Sequence, residues 1–285
     1  MTAAEPVEDL YPTRSVRESV PFRRRHPVVW GTEADGPLSA GELAAFDRDG
    51  FLSFEALLGA EEILGCLEET ERLGRDAGLR ASGRVAPGPD ADGIRSVFEV
   101  HALSEVFARV IRSSPLADVA RQLLGSEVYV HQSGVSLKSA FNGSMCGWHA
   151  DFETWHSEDG MAVPRALSFS VALTDNQPVN GPLMIIPGSH RTFVPAVGET
   201  PPADRTVVTE LALRNGIQQL TASAGSAVLF DCNCLHASAG NVSPFRRTNL
   251  FVVYNSVDNA LGPPFAAPAP RPGFLADRRF TPVPR

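Results

Sequence analysis

Apolar residues along this chain repeat first at helical and then at strand spacing. Ser39-Ala40-Gly41-Glu42 has the form of a capping box, and Leu43 and Phe46 follow at helical spacing, which predicts a helix ending near Gly50. Over 60–78, Ile63, Leu64, Cys66, Leu67 and Leu73 form an apolar stripe opposite Glu68, Glu69, Glu71 and Arg72, the pattern of an amphipathic helix. The glycine-, proline- and aspartate-rich stretch 81–93 reads as a loop and a candidate lid. Two short helices follow over 104–111 and 116–124. Beyond them the apolar runs 128–137, 166–173, 183–186, 227–230 and 249–254 are short and bounded by Gly, Pro, Asn or Asp, as strands are. Short strands joined irregularly predict a mainly β fold with flanking α-helices, a sandwich or barrel rather than alternating β-α units. Residues 1–38 read as an extended arm, 39–285 as a single domain, and the proline-rich tail from Pro263 as a surface segment.

Composition narrows the partners. Across 285 residues, 43% are hydrophobic and 20% charged, and no apolar run reaches the roughly 18 residues of a membrane span. No positively charged start precedes an apolar stretch, so no secretory signal is read and the cytoplasm is expected. Cys66, Cys146, Cys232 and Cys234 are then expected as reduced thiols. A formal net charge of −8 argues against nucleic acid as a partner. The isolated run Arg23-Arg24-Arg25 reads as a solvated turn or an interface anchor.

The candidate chemistry lies in His149-Ala150-Asp151 and His236. In extended chain, residues i and i+2 share a face, so His149 and Asp151 converge on one point. A second histidine completes a 2-His-1-carboxylate triad of the kind that holds non-haem Fe(II) with open positions, and His236 follows the apolar run 227–230. An isolated H-x-D arises by chance, but Arg247 lies eleven positions after His236 at the start of a strand. In a jelly roll that places a guanidinium where it can grip the far carboxylate of a bound keto diacid. Ser238 shares the face of His236 and adds a hydroxyl, while Arg246 reads as a surface salt-bridge partner.

The segment 148–161, WHADFETWHSEDGM, resembles the signature of the bacterial ectoine hydroxylases within the phytanoyl-CoA dioxygenase (PhyH) superfamily. The runs 96–101 (SVFEVH), 128–133 (VYVHQS), 180–184 (NGPLM), 187–190 (PGSH), 230–233 (FDCN) and 254–257 (YNSV) look like further family blocks, and the arm's 10–14 (LYPTR) fits as well. The resemblance thus spans nearly the whole chain. It implies a double-stranded β-helix (jelly roll, cupin-like), usually homodimeric, that hydroxylates a small zwitterionic solute using Fe(II), 2-oxoglutarate as cosubstrate and O2. Carried over residue by residue, it implies iron binding by His149, Asp151 and His236, and 2-oxoglutarate binding by Lys138, Ser238 and Arg247. It further implies that Gln132, Trp155, Phe230 and Phe251 line the substrate pocket, with Phe98 and Thr154 near it. Retention of Asp151, which related halogenases replace with a small residue, implies hydroxylation.

Four positions depart from the family pattern: Cys146 where an aromatic is usual, Ala150 where a serine is, and Gly134 and Ser136 where an arginine and an asparagine are expected. These changes enlarge the pocket and remove a charge. Three readings follow: hydroxylation of ectoine to 5-hydroxyectoine, the same chemistry on another free amino or imino acid, and a barrel that binds metal or ligand without oxygen chemistry.

Overall fold

The structure is a computed structural model that describes residues 8–14, 16–89, 93–198 and 203–285. Its elements in chain order are β1 (Phe22–Arg23), α1 (Ala40–Asp49), β2 (Phe51–Phe54), α2 (Ala60–Gly74), α3 (Ala77–Ala81), β3 (Val85–Pro87), β4 (Ile94–Phe98), α4 (Val100–Leu103), α5 (Glu105–Arg112), α6 (Ser114–Leu124), β5 (Val128–Lys138), β6 (Cys146–His149), α7 (Asp151–Thr154), a π-helical turn (Trp155–Asp159), β7 (Ala166–Ala172), β8 (Leu183–Ile185), β9 (Thr192–Phe193), α8 (Arg205–Asn215), β10 (Gln218–Leu220), β11 (Ala227–Asp231), β12 (His236–Ser238) and β13 (Arg247–Ser256). A larger antiparallel sheet runs β2-β11-β7-β13-β5-β4-β3 and a smaller one β10-β8-β12-β6. They face each other as a double-stranded β-helix, and α2, α5 and α6 pack on the outside of the larger sheet.

Both faces of the larger sheet are buried, which is why its strands alternate apolar residues with small polar ones rather than with charges. In β13, Leu250, Val252 and Tyr254 enter the core under the helices, while Arg247, Asn249, Phe251 and Val253 point inward. In β5 the parity changes partway along. Val128 and Val130 belong to the helix-facing core, then Val135 and Leu137 do, while Gln132 and Ser136 face inward. The register accounts for it: Val253 pairs with Gln132 but Tyr254 with Val130, so His131 is the extra residue of a β-bulge.

The capping box of α1 forms as its sequence requires, with Ser39 Oγ accepting from the Glu42 amide (3.3 Å) and Glu42 Oε2 accepting from the Ser39 amide (2.8 Å). Several expectations are corrected. The long second helix stops at Gly74, and a separate α3 begins behind Asp76, whose side chain accepts from the Leu79 amide (2.9 Å). Leu64, placed in the apolar stripe, is exposed. The stretch read as a loop contains β3, paired with β4, so Val85–Pro87 belongs to the sheet; its residues 90–92 lie outside the described ones. The terminal segment runs over the surface as expected but is anchored at Ala276, Asp277 and Val283, which are buried. Arg23 and Arg25 are exposed, but Arg24 is not solvated; it is buried against Asp231 (2.7 Å). The arm packs inward along with it: Tyr11 is fully buried among Phe152, Phe193 and Phe22, and β1 pairs with β9. Among the described residues, no helix is long and apolar enough to cross a membrane.

Gly134 shows how tightly β5, β4 and β13 are stacked. A Cβ added there would lie 2.5 Å from both Phe251 Cζ and the Val97 carbonyl oxygen. The carbonyl cannot yield without spreading the sheet, so Gly134→Ala is expected to cost about 1–3 kcal/mol and lower the thermal unfolding midpoint. An unchanged midpoint would mean that the sheet accommodates the methyl group.

Candidate active site

Between the sheets lies a cavity of about 410 Å³. The smaller sheet contributes His149 from β6, His236 and Ser238 from β12 and Leu183 from β8; the larger contributes Phe98, Gln132, Ser136, Ser168, Ser170, Phe230, Phe251 and Val253. Cys146, also from β6, and Trp155 from the π-helical turn line it as well.

Three side chains meet at one end. The β12–β6 register sets His236 opposite His149, so their rings lie side by side with centroids 4.2 Å apart. β6 ends at His149, Ala150 stays extended, and Asp151 opens α7, which turns its carboxylate back towards the histidines. Asp151 Oδ1 lies 3.7 Å from His149 Nε2 and 3.8 Å from His236 Nε2, and the three ligand-capable atoms all fall within 4.8 Å of one another. Backbone carbonyls fix both imidazoles: His149 Nδ1 donates to Gly147 O (2.8 Å) and His236 Nδ1 to Cys234 O (3.0 Å), leaving each Nε2 lone pair aimed at the shared point. Ser168 Oγ donates to Asp151 Oδ2 (3.0 Å), which reserves Oδ1 for that point.

Charge at this point follows from burial and proximity. Burial, reinforced by neighbouring His149, holds His236 down to about 4 and therefore neutral. Burial also opposes a charge on His149, but Cys146 and Asp151 outweigh it and push the imidazole up to about 9. The carboxylate thus draws positive charge to the centre, which a divalent cation supplies while displacing a proton. Two neutralisable imidazoles and one carboxylate suit Fe(II) in chemistry and number.

Beyond His236 the barrel holds two buried cations. The β13–β5 register pairs Arg247 with Lys138. Arg247 donates to Gly181 O through one terminal nitrogen, but its Nε is buried with no partner among the described residues. Lys138 Nζ donates to Ser144 O (2.6 Å) and to Ala239 O (2.7 Å), the latter one residue beyond Ser238. Burial and then Arg247 lower Lys138 to about 8, and burial lowers Arg247 to about 10. Two adjoining buried cations, one with an orphan donor, fit a carboxylate held in two places.

The structure brings Phe98, Gln132, Trp155, Phe230, Phe251 and Ser238 to the cavity wall. Lys138 and Arg247 stand behind Ser238, and Thr154, although next to Trp155, is not among the lining residues. Arg246 makes its expected surface contact, 3.5 Å from Glu71. Sequence reasoning passed over Ser168 and Ser170, whose alternation with apolar neighbours in 166–172 already marked one face of a strand.

A model of the phytanoyl-CoA dioxygenase (PhyH) family matches residues 46–249. The chain belongs to this family. Among its PhyH relatives are the ectoine dioxygenase of Streptomyces coelicolor, 48% identical over 99% of each chain, and that of Nocardia farcinica, 48% identical over 98% of this chain and 97% of the other. The crystal structure of EctD from S. alaskensis with 2-oxoglutarate and 5-hydroxyectoine superposes with a TM-score of 0.89 at 46% identity, covering 95% of each chain. More distant solved structures at 22% identity or less, such as the epimerase SnoN from nogalamycin biosynthesis (TM-score 0.65, covering 83% of this chain and 95% of that one), share the fold alone.

Proposed function

We propose that this chain is an Fe(II)- and 2-oxoglutarate-dependent dioxygenase that hydroxylates ectoine to 5-hydroxyectoine. The observation that carries the reading is the convergence of His149, Asp151 and His236 on one point of a cavity whose wall includes Ser238, the residue before Ala239, whose carbonyl accepts from Lys138, the register partner of Arg247. The likeness to ectoine dioxygenases over nearly the full chain supports the substrate.

In this reading His149, Asp151 and His236 hold the iron, and Lys138, Ser238 and Arg247 hold 2-oxoglutarate by its distal carboxylate. Bound iron supplies O2 activation coupled to oxidative decarboxylation of 2-oxoglutarate to succinate and CO2. The protein's own part is placement. Trp155, Phe230, Phe251 and Phe98 offer ring faces to a delocalised amidinium-like cation, and Gln132 can hydrogen-bond a ring nitrogen or a carboxylate. Thr154 precedes Trp155 in the chain and does not line the cavity. Packing of these rings keeps water from the C–H bond that reacts. The reading extends to a single catalytic domain, 39–285, preceded by the arm 1–38, and to a cytoplasmic homodimer; the family resemblance alone supports these last points.

A second reading, the same chemistry on another amino or imino acid, draws on Cys146 and Ser136 in the cavity wall; Gly134, expected to enlarge the pocket, does not line it, because Phe251 and the Val97 carbonyl fill the space beside it. The described residues lining the cavity include no lysine or arginine to meet a substrate carboxylate. A succinate-release assay with Fe(II), 2-oxoglutarate and a panel of ectoine, proline, and basic and acidic amino acids separates the two. Ectoine is expected to stimulate succinate release and yield 5-hydroxyectoine in equal amount. Stimulation by another panel member alone would favour the second reading, and iron binding without succinate from any of them would reject both.

A further inference from the structure

Trp155 is held from behind by residues that play no part in the reading above. Its π-helical turn widens the chain between Asp151 and Gly160, a form that recurs at functional sites. His131, the bulged residue of β5, packs edge-on against the indole, with ring centroids 5.0 Å apart at 70°. The bulge is what turns His131 to this side, next to Gln132 on the cavity wall. His131 Nε2 lies 3.3 Å from Asp159 Oδ2, and both side chains are fully buried.

Asp159 is in turn clamped by the terminal segment. Arg271 donates to both of its oxygens, through Nε to Oδ1 (2.8 Å) and through Nη2 to Oδ2 (2.5 Å). Burial disfavours charge on Asp159, but the Arg271 fork and then His131 outweigh it and hold the carboxyl below its usual range. Burial keeps His131 neutral. The segment is fastened along the same turn: Gly262 N donates to Gly160 O (2.9 Å), and Ala266 N to Ser157 O (3.0 Å). Gly160 adopts φ +80°, and a Cβ there would lie 2.2 Å from Gly262 O, so only glycine admits this approach. From the same segment Phe274 reaches Phe98, which in turn meets Phe251 on the cavity wall.

We propose that Arg271, acting through Asp159 and His131, is the positioning residue that sets the plane of Trp155 and with it the cavity's affinity for its substrate. This rests on Trp155 forming a substrate face, as in the reading above. The terminal segment is then part of the site although none of its residues lines the cavity.

The test is a double-mutant cycle of Arg271→Ala and Trp155→Phe on the full-length, iron-loaded protein, with KM measured separately for ectoine and for 2-oxoglutarate. Arg271→Ala is expected to raise the ectoine KM about tenfold and leave the 2-oxoglutarate KM unmoved, and in the Trp155→Phe background its effect should largely vanish. Arg271→Lys, which keeps charge but loses the fork, should recover only part of the loss and guards against a fold defect in the alanine variant. A second readout needs no substrate: the Trp155 emission, taken as the difference from Trp155→Phe, should shift to longer wavelength when Arg271 is replaced. Equal effects of Arg271→Ala in both backgrounds, a 2-oxoglutarate KM that rises in step, or an unaltered difference spectrum would overturn the proposal. If the wild type makes no succinate with ectoine, the functional reading fails, while the difference spectrum still decides whether Arg271 places the indole.

Discussion

Asp151→Ala is expected to bring ectoine-driven succinate release below roughly one hundredth of wild type, with iron content falling alongside it. Even groups that only support a metal ligand cost about 10–100-fold when removed, so loss of the ligand itself should cost at least that. The geometry sharpens the expectation. Asp151 Oδ1 is the atom that both His149 and His236 Nε2 face, and Ser168 pins the other oxygen. Without the carboxylate, His149 loses one of the groups that draw positive charge to the centre, and His236 is already neutral. Two neutral imidazoles would then have to hold a dication beside buried Lys138 and Arg247. Asp151→Asn should fare little better, because it restores size but not charge. The measurements are iron per chain by elemental analysis and succinate formed per 5-hydroxyectoine. Full iron loading with normal coupling in Asp151→Ala would remove the triad from the reading.

The sequence carried this centre more plainly than the fold around it. His149 and Asp151 are two apart, and one extended residue, Ala150, is enough to aim both inward whether or not the strand continues; here it does not, since Asp151 begins a helical turn. Arg247 was legible because it stands just ahead of the apolar run 249–254, eleven positions after His236. By contrast, β3 hides in a stretch whose Gly, Pro and Asp content suits a turn, and only pairing with β4 makes Val85–Pro87 a strand. Leu64 fits the helical stripe yet is exposed, because what packs on a helix decides which part of an apolar face is covered. The bulge at His131 leaves a single trace, the switch of apolar parity between Val130 and Val135, which a run of small residues obscures. Arg24 and Arg271 reach partners 207 and 112 positions away, a separation over which no local pattern speaks.

Arg247→Ala should raise the KM for 2-oxoglutarate about thirtyfold or more, with iron content kept and the ectoine KM little changed. Truncating one partner of a buried, hydrogen-bonded charge pair costs about 2–5 kcal/mol, and the lower end of that range is already about thirtyfold. Arg247 suits the estimate: it is 7% exposed, and its Nε has no partner among the described residues. Arg247→Lys should recover part of the loss through charge alone, since a lysine cannot grip a carboxylate in two places. The pH dependence supplies a second signature. Burial and Arg247 hold Lys138 down to about 8, so it is charged below that pH and loses its proton as pH rises through it. In the wild type, kcat/KM for 2-oxoglutarate should therefore fall on the alkaline side of about pH 8. Removing Arg247 relieves one of the two causes, so in Arg247→Ala the break should move to higher pH even as affinity drops. A merely structural arginine would instead lower the melting midpoint and leave the cosubstrate KM where it was.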